Sequence, residues 1–191
     1  MTTGDWPPLP ETIHTPRLLL RQFSLADAEN VFAYRRDPEV GRFIPFRQPF
    51  ERHDADVFVA TQALADPCER CVWALEQKGQ VVGGVSLELD RRMARAELGY
   101  ELARWLWGRG LMVEAASAVI DQAFDRLPII KLTATATAPN VRSTRVLEKL
   151  GMRREALLRQ HWVHEGRVLD EVRYGLLREE WKELPAANSE P

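Results

Sequence analysis

The chain has 191 residues, 45% of them hydrophobic and 28% charged, with a formal net charge of −2 at pH 7, the length and composition of one globular domain. So weak a charge excludes the electrostatic footprint of a nucleic-acid or anionic-membrane partner, and no apolar run approaches the roughly 20 residues that span a bilayer. Met1 to Pro8 lacks the basic and apolar regions of a secretory signal, so the expected location is cytoplasmic.

Proline and charge cluster at both ends, and residues 1–14 and 183–191 read as loose tails around a domain over 15–182. Residues 17–23 alternate as a first strand. Ser24, with Asp27 three residues on, opens a helix to about Arg36, which Asp37-Pro38 breaks. Residues 39–49 are irregular and rich in aromatics, and a helix follows over about 50–65. Cys68 and Cys71 form a C-x-x-C, but no second pair or His-x-x-x-His completes a four-ligand zinc site. The pair also leads into a strand rather than a helix, unlike a redox pair. It reads as two incidental thiols, and no metal is expected. Residues 72–77 and 80–90 flank Lys78-Gly79 as a hairpin, and 94–102 continues the antiparallel run. A helix over 111–127 carries apolar residues at Met112, Ala116, Val119, Ala123 and Leu127, a one-sided core contact. Residues 131–137 alternate Thr with Leu and Ala as a strand, and 140–150 is a short capped helix. Residues 153–164 and 168–177 flank Glu165-Gly166-Arg167 as a final hairpin. The order βααβββαβαββ makes a mixed α/β domain.

Two stretches carry chemistry. In Trp107-Gly108-Arg109-Gly110-Leu111-Met112, two glycines stand where a strand gives way to a long helix. They let the backbone pass close to a ligand, and the new helix adds unpaired N–H groups and its positive dipole end, which together suit an anion. Downstream, Asn140 is a natural N-cap and Gly151 suits the left-handed position after a helix, with Met152 next. These join Glu97-Leu98-Gly99-Tyr100, Glu114-Ala115, the Asn140/Ser143 pair, Leu147-Glu148-Lys149-Leu150-Gly151, Gly166 to Asp170, Tyr174 and Glu180-Trp181. Their order and spacing resemble the GNAT acyl-CoA N-acyltransferases, and among them the Rim-type ribosomal-protein N-terminal acetyltransferases. The resemblance spans roughly Thr15 to Trp181.

That resemblance implies an α/β fold: a single GNAT-like domain whose central, mostly antiparallel, splayed sheet is flanked by helices. It implies acetyl-CoA as co-substrate, with the pantetheine arm in the gap between the strands at 94–102 and 131–137. Backbone groups of Tyr100, Glu101 and Leu102 would pair with the arm as an added strand does. The amides of Gly108, Arg109, Gly110, Leu111 and Met112 would hold the pyrophosphate, with Trp107 at the mouth of the slot and Asn140 meeting the arm. One departure is Trp105, where the family usually has Gln or Arg. A second is Leu147, where many members carry the Tyr that gives a proton to the leaving thiolate. Ser143 is the nearest substitute acid, and Glu97, ahead of Glu101, His161 and His164, is the candidate base.

The implied reaction is acetyl transfer to a primary amine, the N-terminal α-amine of a protein such as a ribosomal protein. An α-amine, of pKa about 7.7–8.0 against about 10.4 for Lys, suits a site with neither the usual Tyr nor an unmistakable base. The alternatives are a small-molecule amine acceptor (polyamine, aminoglycoside or amino-acid-like) and a non-catalytic CoA-binding module, with a homodimer left open. Phe43, Phe46, Phe50 and Trp162 read as acceptor walls, and Asp37, Glu39, Glu165 and Asp170 as its acidic contacts.

Overall fold

In the computed structural model, residues 6–44, 46, 48–164 and 166–184 are described. The chain opens with β1 (Ile13–His14) and β2 (Leu19–Arg21), then a 3-10 turn (Leu25–Asp27) that leads into α1 (Ala28–Arg35). After α2 (Pro38–Gly41) and α3 (Arg52–Ala63) come β3 (Arg70–Gln77), β4 (Gln80–Asp90) and β5 (Arg95–Leu102). The second half alternates: α4 (Leu111–Arg126), β6 (Lys131–Thr137), α5 (Val141–Lys149), β7 (Arg153–His164), β8 (Arg167–Leu177) and α6 (Arg178–Glu183). The strands form one sheet in the order β1-β2-β3-β4-β5-β6-β8-β7, antiparallel except where β5 meets β6. This is the mixed α/β class expected, with one mostly antiparallel sheet flanked by helices.

One break in the sheet positions the site. β5 and β6 pair only at Arg95↔Lys131, Ala96↔Leu132 and Glu97↔Thr133. Beyond that point β5 stays with β4 as far as Gly83↔Leu102, while β6 stays with β8 as far as Thr137↔Glu171. Each strand keeps its outer partner, so a wedge opens between them with Glu97 at its apex. The connection across the wedge is α4, whose Leu111, Ala115, Ala116, Val119, Ile120 and Ala123 are all buried. Burial of Ile and Leu side chains like these stabilises the domain by about 1.5–3 kcal/mol each, which holds the α4 N-terminus at the wedge mouth.

Several local expectations need correction. Residues 6–14 are not a loose tail. Ile13 pairs with Leu20 and is buried, Trp6 and Leu9 pack against the core, and Trp73 Nε1 donates to the Pro10 carbonyl at 2.9 Å. The other tail residues, 1–5 and 185–191, lie outside the described residues, as does Glu165 of the last hairpin. The helix expected from Ser24 begins as a 3-10 turn because Asp27 has two tasks. Its carboxylate caps the Ser24 N–H at 2.7 Å and takes both Arg21 Nη atoms at 2.8 Å. Within 39–49, Asp37 caps one turn of helix by accepting from Glu39 N at 3.0 Å. Cys68 is exposed and Cys71 buried, both as free thiols, and burial pushes the Cys71 thiol up to about 11. Among the described residues no cluster of His, Cys, Asp and Glu could hold a metal, and no helix is long and apolar enough to cross a membrane.

Candidate active site

Two cavities meet in the wedge. The larger, of about 430 Å³, runs from the glycine junction along α5, and Gly108, Gly110, Met112, Arg142, Arg145 and Lys149 are among its walls. The smaller, of about 320 Å³, lies toward β6 and β7, with Glu88, Glu97, Thr137, Trp162 and Glu171 among its walls. Phe43, Ile44, Tyr100, Asn140 and Ser143 line both and form the partition. A reaction that joins a long anionic co-substrate to a second molecule has its natural meeting point at that partition.

The junction is built as an anion cradle. Gly108 and Gly110 take φ of +76° and +75°, the left-handed region that a side chain adopts only with strain. Gly110 caps α4: Glu114 N–H donates to its carbonyl, so the amides of Leu111, Met112 and Val113 have no partner within the helix. A Cβ on Gly108 would meet nothing within 4 Å, which leaves that side open for a phosphate. Arg142, Arg145 and Lys149 recur every three or four residues, so one face of α5 turns positive charge toward the same cavity.

A buried carboxylate braces the cradle from behind. Glu114, in the first turn of α4, accepts from Thr15 Oγ1 at 2.6 Å, from the Arg17 backbone N–H at 2.9 Å and from Arg17 Nε at 2.5 Å. Arg17 in turn donates through Nη1 to the Arg109 carbonyl at 2.9 Å. Burial alone would raise the Glu114 carboxyl, but the Thr15 and Arg17 hydrogen bonds outweigh it and hold it below its ordinary value.

At the partition, Tyr100 and Ser143 are joined. The Tyr100 hydroxyl lies 2.9 Å from Ser143 Oγ and donates to the Ser143 carbonyl at 3.1 Å. Ser143 is placed by the α5 cap, where its N–H donates to Asn140 Oδ1 at 3.3 Å. The helix ends as its sequence predicts, with Met152 N–H on the Leu147 carbonyl and Gly151 N–H on that of Glu148, both at 3.0 Å. Burial pushes the Tyr100 phenol well above its ordinary value, the Ser143 hydrogen bond pulling it back only in part. It is a protonated donor at neutral pH.

Leu147, the position of the usual Tyr, is fully buried in the core. Glu97 is exposed at the apex of the wedge and accepts from Thr135 Oγ1 at 3.2 Å.

These features match known proteins. An acetyltransferase (GNAT) domain model matches residues 17–153. The chain belongs to the GNAT acetyltransferase family. It is 31% identical to an uncharacterised N-acetyltransferase of Bacillus licheniformis over 175 residues, which is 90% of this chain and 98% of that protein. A putative ribosomal N-acetyltransferase of Bacillus subtilis is 32% identical over 105 residues, 54% of this chain and 57% of that protein. A GNAT-family acetyltransferase from Bacillus anthracis superposes with a TM-score of 0.79 at 28% identity, covering 88% of this chain and 99% of that one. The activity is acetyl-CoA-dependent N-acetyl transfer, and the glycine cradle, the basic face of α5 and the long cavity fit that co-substrate.

Within this GNAT site, several expected residues fall elsewhere. Tyr100, Glu101, Leu102, Trp107, Gly108, Gly110, Leu111, Met112 and Asn140 line the larger cavity, but Arg109 does not. Its carbonyl serves as the anchor for Arg17 instead. The Leu102 carbonyl is taken by Trp107 Nε1 at 2.8 Å, and the Trp107 ring is covered by the Arg142 guanidinium at 4.7 Å, so Trp107 acts by packing. Glu101 is no candidate base. Its carboxylate accepts from Tyr34 Oη at 2.6 Å and from Arg35 Nε and Nη2 at 2.9 and 2.6 Å, and Arg35 is boxed by the Phe46, Phe50 and Phe58 rings. Phe46 and Phe50 therefore line that ion pair rather than the acceptor. Asp37 and Asp170 spend their carboxylates on backbone N–H groups, Glu39 lines the larger cavity, and His161 and His164 line neither. Residue reasoning missed the Tyr100 hydroxyl, Arg17, the basic α5 face, and Glu88 and Glu171. The spacing at 142, 145 and 149 alone was a readable signal.

Proposed function

We propose that the protein acetylates the N-terminal α-amine of a protein, a ribosomal protein being the kind that one relative's name suggests. The observation that carries this reading is the pair of cavities meeting at Tyr100, Asn140 and Ser143. One has a glycine cradle and basic walls, and the other has Glu88, Glu97 and Glu171 with no Lys or Arg among its described lining residues, although Arg70 reaches Glu88 at 3.5 Å and Arg173 reaches Glu171 at 3.0 Å from outside it. A carboxylate-lined cavity favours an ammonium over an anion.

When bound, acetyl-CoA supplies the thioester carbon that an amine attacks. Glu97 takes the proton from the amine, directly or through one water, at the apex of the wedge. As the thiolate departs, the Tyr100 O–H turns from the Ser143 carbonyl to Ser143 Oγ. Ser143 passes its own hydroxyl proton to the sulfur and takes the phenol proton in exchange, and solvent then restores the Tyr100 proton. The protonated phenol thus does through Ser143 what the family's usual Tyr does directly. An exposed glutamate is a modest base, so an acceptor already near its own pKa fits best. Forming the neutral amine at pH 7 costs about 3.5 kcal/mol less for an α-amine than for lysine, from their pKa difference.

The test pairs short peptides bearing a free N-terminus with their N-blocked, lysine-containing twins. The expected result is a higher kcat/KM for the free N-termini. Preference for the blocked lysine peptides, or for a polyamine, would replace this reading with a small-amine acceptor.

A further inference from the structure

Two residues that line the smaller cavity carry buried polar side-chain atoms with no hydrogen-bond partner among the described residues. They are Thr137 Oγ1 and Trp162 Nε1. Thr137 is only 6% exposed. Buried polar side chains are nearly always paired, so two orphans on residues that line one cavity point to a ligand group that pairs with them.

The backbone is shaped to present them. β7 loses its register with β8 between Leu158 and Trp162 and regains it at Trp162↔Leu169. Within the irregularity Gln160 takes a φ of +52° and its N–H is tied to Asp170 Oδ1 at 2.8 Å. Bulges of this kind re-aim the next side chain. On the far side of β8, Thr137 of β6 stands opposite Glu171.

The chemistry of the lining narrows the ligand. An indole N–H only donates, so the ligand must bring an acceptor atom. A protonated polyamine carries donors alone and would leave Trp162 unpaired. A free amino acid would bring its carboxylate up to Glu97, the lining carboxylate for which, among the described residues, no ion pair offsets the repulsion, whereas Glu88 pairs with Arg70 and Glu171 with Arg173. An α-amine beside a neutral amide carbonyl satisfies both conditions.

Resting on the α-amine reading above, we infer that the acceptor is held by the carbonyl oxygen of its own first residue, which accepts from Trp162 Nε1 and Thr137 Oγ1. These two residues select an α-amine that carries an amide carbonyl over a bare amine.

The test uses the full chain and the best tetrapeptide acceptor with a free N-terminus. Its twin has a trans alkene in place of the first peptide bond, which keeps the α-amine and the extended shape but has no carbonyl oxygen. The wild type is expected to favour the peptide over the alkene by about tenfold in kcat/KM, equivalent to about 1.4 kcal/mol. Trp162→Phe and Thr137→Val should each lower kcat/KM for the peptide severalfold while leaving the alkene twin and acetyl-CoA affinity unchanged. Equal losses on both acceptors, or no wild-type preference, overturn the inference while the α-amine reading stands. If lysine peptides or polyamines outperform free N-termini, both fall together.

Discussion

At the residue scale, the decisive contact is the 2.9 Å approach of the Tyr100 hydroxyl to Ser143 Oγ. Each oxygen alone is a weak acid, but in series they give a buried phenol access to the partition between the cavities. Removing either member should therefore slow chemistry without loosening the co-substrate, the pattern of an interaction made in the transition state. Ser143→Ala and Tyr100→Phe are each expected to lower kcat by about a hundredfold, the lower end of the range for a lost proton donor. The double variant should be little worse than the poorer single, because the two act as one unit. Steady-state rates with chemistry limiting, beside calorimetric affinity for acetyl-CoA, check this. Unchanged kcat in both singles would return Ser143 to its cap and Tyr100 to packing.

At the element scale, the proposed grip on the co-substrate lies in the backbone at the start of α4 rather than in side chains. Gly110 has room for a Cβ, whose nearest neighbour would be Arg17 Nη2 at 3.6 Å, so the barrier there is conformational and not a clash. Any residue with a Cβ resists a φ of +75°, and a β-branched one resists it most. Gly110→Val should rotate the first α4 amides out of line and weaken acetyl-CoA binding at least tenfold, about 1.4 kcal/mol. Circular dichroism should show the fold retained, because α4 stays anchored by its buried apolar face. Equal calorimetric affinity in a folded variant would remove the cradle from the account.

At the scale of the whole molecule, Glu114 ties the start of the chain to the site. Thr15 and Arg17 precede β2, Glu114 belongs to α4, and Arg109 lies in the cradle, so one carboxylate joins the start of the chain to α4 and, through Arg17, to the cradle. Because its folded pKa is depressed, its contribution to stability is present above the ordinary carboxylate value and is lost as pH falls through the lower folded one. Glu114→Gln is expected to cost about 1–3 kcal/mol at neutral pH, at about 2–4 °C of Tm per kcal/mol for a domain of this size. The Tm gap from wild type should then narrow as pH falls below the ordinary carboxylate value and through the lower folded one, beneath which both states bind the proton. A gap that stays constant over that range would mean the carboxylate's charge contributes nothing.

The sequence by itself determined what local physics controls. Gly-x-Gly before an apolar stripe, Asn140 and Gly151 around α5, and period-two strands each satisfy a rule acting over a few residues. Those elements stand where their residues placed them, β4, β6 and β7 with the very bounds expected. Only the tertiary structure decided which side chains of one strand share a cavity. Glu97 and Glu101 share one face of β5 by alternation, and only the family resemblance put Glu97 first, yet one lies open at the apex of the wedge and the other is locked beneath α1 by Arg35. Nothing within β5 separates them, because the difference lies in partners 66 residues away. The Tyr100–Ser143 contact, 43 residues apart in the chain, and the orphaned Thr137 and Trp162 were invisible for the same reason. Long-range pairing is set by how the splayed sheet closes around its helices, and no local pattern encodes that geometry.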